Sequence, residues 1–372
     1  SPEEVALWRS GLTSIDLLKE HNITEAFTWA NRISNRGIDF LEHRDEEKPF
    51  LMVLSYDEPH HPWTCPPEWA ERFRDFEFDL GPAGLDPLEG KPPHQKEWAS
   101  AMDHPARNGV VKSPLVFGCN AYVDHEIGRV LDALDEKELE NTYVVYCSDH
   151  GEMFGAHDLS LKGCVGYEEI THVPFIVRPP SSMGQAGRQE KTLVNLIDIL
   201  PTFLDLADEA CPPVLQGESL KPLITGERTD VERSSFIEFN RYELDHDSFG
   251  GFKPMRVVVH GSYKLVVHLL GADELYHLDD DPWELNNLIE DPAHCEARDD
   301  LHARLLDWMD EKRDPFRGPE WERRSWQPRR TREWMGYYRP RPSDGYAEPA
   351  YDYDTGRPNQ GVKIEAKTTP TE

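Results

Sequence analysis

Apolar residues in the first 230 positions follow two different spacings. Intervals of three and four residues, which predict helices with one buried face, occur at residues 11–46, 115–136 and 193–207. Short and nearly unbroken apolar runs, which are typical of strands buried on both faces, lie at 50–56, 143–147 and 173–177. Helices that alternate with buried strands predict a doubly wound α/β domain over residues 1–230.

The pattern changes after residue 230. Strand-like segments at 256–260 and 263–268 are separated by Gly261 and Ser262, which predicts a hairpin. A third strand at 274–278 and an amphipathic helix at 299–312 complete a predicted antiparallel α+β subdomain over 231–313. Two segments lack periodicity. Residues 64–112 predict a long surface excursion, and the Pro-, Arg- and Tyr-rich residues 314–372 predict an extended or disordered tail.

Charge and cysteine content restrict the partners. A net charge of -30 argues against nucleic acid and anionic lipid, and an anionic substrate would then need a local positive site. The six cysteines are scattered without a C-x-x-C pair, which argues against a zinc knuckle and leaves the compartment open. No apolar run reaches the roughly 18 residues that a membrane span needs. Oligomeric state stays open as well.

Polar residues follow two of the predicted strands. His60 and His61 come after the first strand, and Asp149 and His150 come after the second. Ligands bind at the carboxyl ends of strands in parallel α/β sheets. A carboxylate beside an imidazole can bind one divalent cation, such as Mn²⁺, Mg²⁺ or Zn²⁺. The alternative is that Asp149 caps the following helix while His150 lies in solvent.

Lys162 and one of the two histidines at 60 and 61 could reach the same pocket. Lys162 follows His150 by twelve positions across an irregular loop, so it could return as a cation for an anionic oxygen, or be an ordinary surface lysine. Pro59 and Pro62 flank the two histidines and restrict the backbone, as a positioned acid requires. This spacing does not separate His60 from His61.

Six blocks in fixed order resemble the sulfatase family of the alkaline-phosphatase-like superfamily. They are Lys48 to Pro62, Tyr122 to Leu134, Ser148 to Glu152 with Lys162, Tyr167 to Val177, Asp198 to Leu206, and Lys264 to Leu288. The resemblance covers about residues 20–312. It implies an alkaline-phosphatase-like fold and hydrolysis of a sulfuric ester by a metal-dependent enzyme.

The resemblance also implies roles for individual residues. Asp149 and His150 match two ligands of a divalent metal, usually Ca²⁺, with Mn²⁺ or Mg²⁺ as alternatives. His60 matches the histidine that contacts the sulfate ester, and Lys162 matches the lysine that binds a sulfate or leaving-group oxygen. Candidate substrate contacts beyond these are His61, His157, Arg241 and His246.

The sequence departs from the family pattern at the nucleophile. The family uses a formylglycine made from Cys or Ser in C/S-x-P-S-R, and no cysteine here lies in that context. The upstream acidic metal ligands are also absent. We therefore expect these residues to be the C-terminal two-thirds of a sulfatase, with half of a metal site, and to be inactive alone.

Three functions remain open at this stage. The first is a sulfatase acting on a sulfated sugar or small alcohol. The second is a phosphonate monoester or phosphodiester hydrolase, which His150 favours slightly, because the resemblance implies that histidine here is typical of a subset with choline-sulfatase-like and phosphonate-monoester-hydrolase-like enzymes. The third is a homologue that binds a ligand without turning it over.

Overall fold

The structure is a computed structural model, and it describes residues 3, 5–7, 11–101, 106–137, 139–183, 187–229, 231–240 and 253–327. Its helices are α1 (Ile15–Glu20), α2 (Trp29–His43), α3 (Pro67–Glu71), α4 (Pro93–Ala101), α5 (Pro114–Glu136), α6 (Glu168–Thr171), α7 (Ile199–Leu206), α8 (Lys221–Ile224), α9 (Cys295–Glu311) and α10 (Pro319–Glu322). Its strands are β1 (Phe78–Asp79), β2 (Ala106–Arg107), β3 (Val110–Val111), β4 (Val144–Cys147), β5 (Phe175–Arg178), β6 (Ser234–Phe239), β7 (Met255–His260), β8 (Tyr263–His268) and β9 (Glu274–His277).

Helices α2 and α5 pack through buried polar contacts. The Asn31 side chain donates to Glu126 Oε1 over 3.1 Å, and Ser34 Oγ donates to the Glu126 carbonyl over 2.8 Å. Buried polar groups retain such bonds because leaving them unpaired is costly. The predicted helix at 115–136 is confirmed, whereas the one predicted at 11–46 is divided into α1 and α2.

The run at residues 50–56 forms no strand, so that prediction is wrong. Met52 and Leu54 pack against the cluster that α2 and α5 form. Leu51 and Val53 face the other way and are 71% and 77% exposed. A strand requires hydrogen bonds to a neighbouring strand, and no described residue forms a ladder with this segment.

Strands β4 and β5 are present as predicted, but they pair antiparallel, which corrects the expected parallel pairing. They are also only half-buried, since Tyr146 is 43% and Ile176 is 60% exposed. The Ser148–Glu152 segment follows directly from the carboxyl end of β4, as the sequence predicted.

The antiparallel sheet has the order β6-β7-β8-β9. His260 pairs with Tyr263 across a two-residue loop, which confirms the predicted hairpin. Gly261 has φ +55°, a conformation that glycine adopts without a steric penalty. Val257 and Val266 form part of a buried cluster on this sheet.

Residues 64–112 are more than a surface excursion, which corrects that expectation. The segment contributes α3, α4 and the small sheet β1-β3-β2. Trp98 of α4 is fully buried and shares a core cluster with Tyr167 and with Tyr276 of β9. Apolar side chains spaced widely among prolines and charges gave no periodic signal for this burial.

The chain divides into two compact units, Ser1–Leu193 with Pro222–Leu305 and Val194–Lys221 with Leu306–Glu372. In the second unit, the buried Asp198 carboxylate accepts hydrogen bonds from Asn195 N (2.9 Å) and Glu218 N (2.8 Å). The domain limits predicted at residues 230 and 313 stay a prediction. None of the described helices combines the length and apolar character needed to cross a membrane.

Candidate active site

The turn after β4 presents two potential metal ligands. The Asp149 side chain is 86% exposed, and its Oδ2 lies 3.6 Å from His150 Nε2. Two ligand atoms bound to one divalent cation at 2.0–2.5 Å are separated by a distance of this order. The other oxygen, Asp149 Oδ1, accepts a hydrogen bond from His150 N over 2.9 Å, which orients the carboxylate. The two residues therefore fit one side of a metal site.

The tautomer of His150 also fits a metal ligand. His150 Nδ1 lies 2.8 Å from the Gly151 carbonyl oxygen. A carbonyl can only accept, so Nδ1 is the donor in this contact, and Nε2 is the ring nitrogen left to bind a metal. A hydrogen bond of this kind fixes the ring of metal-binding histidines.

The backbone of the turn is held by the segment that begins α6. Gly151 N donates to the Ile170 carbonyl over 2.9 Å, and Glu152 N donates to the Glu169 carbonyl over 3.0 Å. A Cβ on Gly151 would lie 1.8 Å from the Glu169 carbonyl oxygen. Gly151 does not have a positive φ. Glycine is needed here because another backbone lies too close for any side chain.

The segment that carries His60 is attached to the start of α2 through Glu58. The Glu58 side chain is buried, and its Oε1 accepts a hydrogen bond from Trp29 N at the start of α2 over 2.8 Å. A carboxylate is stabilised at a helix N-terminus by the unpaired N–H groups and the helix dipole. His60 N closes a turn onto the Asp57 carbonyl at 2.9 Å, while its ring remains exposed. Nothing in the sequence pattern singled out Glu58.

The structure brings Lys162 and His60 together. Lys162 Nζ lies 3.3 Å from His60 Nε2, and His60 Nδ1 lies 2.8 Å from the His61 carbonyl. As at His150, the carbonyl requires the proton on Nδ1, so Nε2 accepts from the lysine. Met153 N donates to the Leu161 carbonyl over 3.0 Å, which closes the loop that returns Lys162.

The charges near this pair also act on Glu152, in the turn after β4. Partial desolvation raises the pKa of Glu152, whereas the charges of Lys162 and His150 oppose that shift. Glu152 therefore lies within electrostatic range of both. Desolvation lowers the pKa of His61, and the charge that His60 carries when it is protonated and the charge of Lys162 lower it further. His61 stacks on His60 with ring centroids 4.2 Å apart.

His157 is placed differently from the other candidates. Its ring is fully buried, stacks on Tyr167 at 3.8 Å and lies 2.6 Å from Asp86 Oδ2 through Nδ1. Lys91 pairs with the same Asp86 oxygen at 2.9 Å. This is the position of an internal packing residue, and substrate contact by His157 stays a prediction. Arg241 and His246 lie outside the described residues.

A separate group of potential ligands lies on α2. Within the described ranges, Asp39, Glu42 and His43 are the residues that gather three ligand atoms within 4.8 Å of one another. All three are exposed on one helical surface, and exposed acidic groups of this kind are common without a metal.

Two family models match the chain. One, described as Sulfatase, matches residues 7–209, and one described as N-sulphoglucosamine sulphohydrolase, C-terminal, matches residues 155–311. The chain is 49% identical to "Uncharacterized sulfatase YidJ" of Escherichia coli (strain K12), across 98% of this chain and 72% of that protein. It spans only 59% and 57% of the length of two further relatives.

Solved structures with the same fold match the chain as well. The structure of BT4656 in complex with its substrate D-glucosamine-2-N,6-O-disulfate matches with TM-score 0.68 and 23% identity, over 77% of this chain and 70% of that chain. The phosphonate monoester hydrolase of Agrobacterium radiobacter matches with TM-score 0.64 and 23% identity, over 78% and 62%. These similarities confirm the predicted alkaline-phosphatase-like fold class.

Proposed function

The chain belongs to the sulfatase family, and on that premise we propose that the intact protein hydrolyses a sulfate ester to an alcohol and inorganic sulfate. The observation that carries the proposal is the contact between Lys162 Nζ and His60 Nε2 at 3.3 Å. It places a cation and a histidine on an accessible part of a chain whose net charge is -30. An anionic ester needs such a local positive site.

The lysine and the histidine have separable roles in this proposal. An ammonium group has three N–H donors, and Lys162 uses one of them on His60. The other two can bind oxygens of the sulfuryl group or of the departing alcohol. His60 fixes the direction of the lysine, so the donors are in place before charge develops in the transition state.

Asp149 and His150 would hold a divalent cation, Ca²⁺ in the first instance and Mn²⁺ or Mg²⁺ as alternatives. When bound, such a cation polarises the ester and neutralises charge on its oxygens. The nucleophile of the proposed reaction is a formylglycine, which no residue in a C/S-x-P-S-R context provides within these 372 residues. Further metal ligands would likewise come from outside them.

A sulfated sugar is the proposed substrate class. The match of residues 155–311 to the family model described as N-sulphoglucosamine sulphohydrolase, C-terminal, supports it, because that description names a sulfated sugar. The disulfated glucosamine named for BT4656 supports it as well. No described residue has been assigned to the sugar.

A phosphonate monoester or phosphodiester is the alternative substrate. Two features support it: histidine at the position of the proposed second metal ligand, His150, and the fold shared with a phosphonate monoester hydrolase. Phosphonate and sulfate monoesters are close in size, and both are anions that the Lys162 ammonium could bind.

The test compares kcat/KM of the intact protein on an aryl sulfate and an aryl phosphonate monoester. Sulfate turnover well above phosphonate turnover supports the proposal, and the reverse order favours the alternative. Absence of turnover on both, with metal bound and sulfated sugars also tried, would identify a homologue that binds without catalysis. Asp149→Ala should abolish metal content measured by elemental analysis, whereas unchanged content would refute the ligand assignment.

A further inference from the structure

We propose that Lys264, together with Glu168 and Glu284, is a positioning group for the metal-binding turn at Asp149 and His150. The proposed reaction gives no role to these three residues. The inference rests on the proposed function only in treating that turn as the metal site.

The ammonium of Lys264 is completely paired inside the protein. Lys264 on β8 is fully buried, and its Nζ lies 2.9 Å from the Gly166 carbonyl, 2.5 Å from Glu168 Oε1 and 2.9 Å from Glu284 Oε1. The Gly166 carbonyl and Glu168 Oε1 accept hydrogen bonds from the ammonium, and Glu284 Oε1 forms an ion pair with it. Removing one partner of a buried ion pair is strongly destabilising, because it leaves an uncompensated charge. The cation therefore ties β8 to residues 166–168.

Glu284 holds the same segment from a second direction. Its side chain is 1% exposed, and its Oε2 accepts a hydrogen bond from Glu168 N over 2.7 Å. Its other oxygen faces Lys264. One carboxylate thus binds both the cation and the first backbone N–H of α6. Together, Lys264 and Glu284 fix the start of this helix by side chain and backbone.

The next two residues of the segment hold the metal-binding turn. The carbonyls of Glu169 and Ile170 accept from Glu152 N and Gly151 N at 3.0 and 2.9 Å. The N-terminal end of α6 is thus bound to Lys264 and Glu284, and the carbonyls of α6 are bound to the segment at Gly151 and Glu152. A four-residue helix is too short to be stable by itself, so its position depends on these contacts.

Close packing on both sides leaves little freedom for the segment to move. A Cβ on Gly166 would lie 2.9 Å from Val266 Cγ2 and 3.1 Å from Val257 Cγ2 of the sheet. A Cβ on Gly151 would lie 1.8 Å from the Glu169 carbonyl oxygen. A shift of the segment is therefore passed to the turn, because close-packed interiors transmit displacement.

The test uses the intact protein and a matched control. Lys264→Met removes the cation and keeps the length of the side chain, and Lys264→Arg restores the charge. Arg317→Met is the control, because Arg317 is also buried and paired with two carboxylates, Asp310 at 2.9 Å and Glu322 at 2.7 Å, in the other compact unit. Each variant is assayed for Ca²⁺ affinity by calorimetry, urea stability and amide exchange at Gly151 and Glu152.

Lys264→Met should weaken Ca²⁺ binding by about tenfold, the lower end for groups that orient metal ligands, and should speed exchange of the two amides. Lys264→Arg should recover part of the Ca²⁺ affinity and part of the protection of the two amides from exchange. Arg317→Met should lose comparable stability while affinity and exchange at these amides stay unchanged. Equal effects of Lys264→Met and Arg317→Met on affinity and on exchange would overturn the positioning role.

Two further outcomes remain interpretable. If Lys264→Met does not fold, Glu168→Ala is used instead, because it removes only a partly exposed carboxylate. Faster exchange at the amides of Gly151 and Glu152 in Glu168→Ala would then support the positioning role, and unchanged exchange would overturn it. If the wild-type protein binds no divalent cation, the proposed metal site fails. In that case exchange at Gly151 and Glu152 still decides whether Lys264 positions the turn.

Discussion

Replacing Gly151 by alanine should disrupt the metal-binding turn through one close contact. The new Cβ would lie 1.8 Å from the Glu169 carbonyl oxygen, whereas real Cβ atoms essentially never approach within 3.0 Å. Either the turn or the start of α6 must move by about 1.2 Å, the difference between the two distances. The Glu169 oxygen belongs to the backbone, so no side-chain rotation can relieve the contact.

The cost follows from the two hydrogen bonds that this movement breaks. Gly151 N to Ile170 O (2.9 Å) and Glu152 N to Glu169 O (3.0 Å) would both stretch beyond bonding distance. At a net ~0.5–1.5 kcal/mol for each bond, Gly151→Ala should lower the free energy of unfolding by about 1–3 kcal/mol. It should also weaken the proposed metal binding, because the proposed ligands Asp149 and His150 precede the displaced backbone.

Urea unfolding and calorimetric titration with Ca²⁺ measure the two effects. Gly128→Ala is the matched control, since Gly128 lies within α5 and an added Cβ there would meet nothing within 4 Å. Alanine in a helix interior is favoured over glycine by up to about 1 kcal/mol, so the control should be neutral or more stable. Wild-type stability and wild-type Ca²⁺ affinity in Gly151→Ala would refute the reasoning.

Three further predictions concern other parts of the protein. Burial raises the pKa of Asp86 and of Glu274, but their hydrogen bonds with neighbouring histidines outweigh it and hold both values at about 2, below the unfolded values of about 4. The two carboxylates therefore contribute to the free energy of unfolding above pH 4.5, and this contribution is lost as pH falls toward 2. Measured free energies of unfolding that do not decline from pH 6 to pH 3 would contradict this. Trp98→Ala should cost about 3–5 kcal/mol of stability in urea titration, because the side chain is fully buried. Lys162→Ala in the intact enzyme should lower kcat by about 10²-fold while stability changes by less than about 0.5 kcal/mol, and unchanged kcat would remove Lys162 from the reaction.

The sequence by itself determined the local elements and the order of the site. The helix at Pro114–Glu136 and the hairpin at Gly261 follow from spacing and turn chemistry, which act between residues close in sequence. The turn at Asp149 and His150 follows β4 as predicted, and Lys162 returns beside His60. The sequence predicted these features because they depend on the residue types and on the order of the motifs along the chain.

Only the tertiary structure decided the features that depend on distant partners. The run at 50–56 has the composition of a strand, but pairing needs a neighbour, and the described residues supply none. His157 looked like a loop residue near the site and is buried against Asp86 and Tyr167. Lys264 is paired with groups about a hundred residues earlier and twenty later. Hydrogen bonds, close backbone approach and ion pairing join residues far apart in sequence, so no local pattern could specify them.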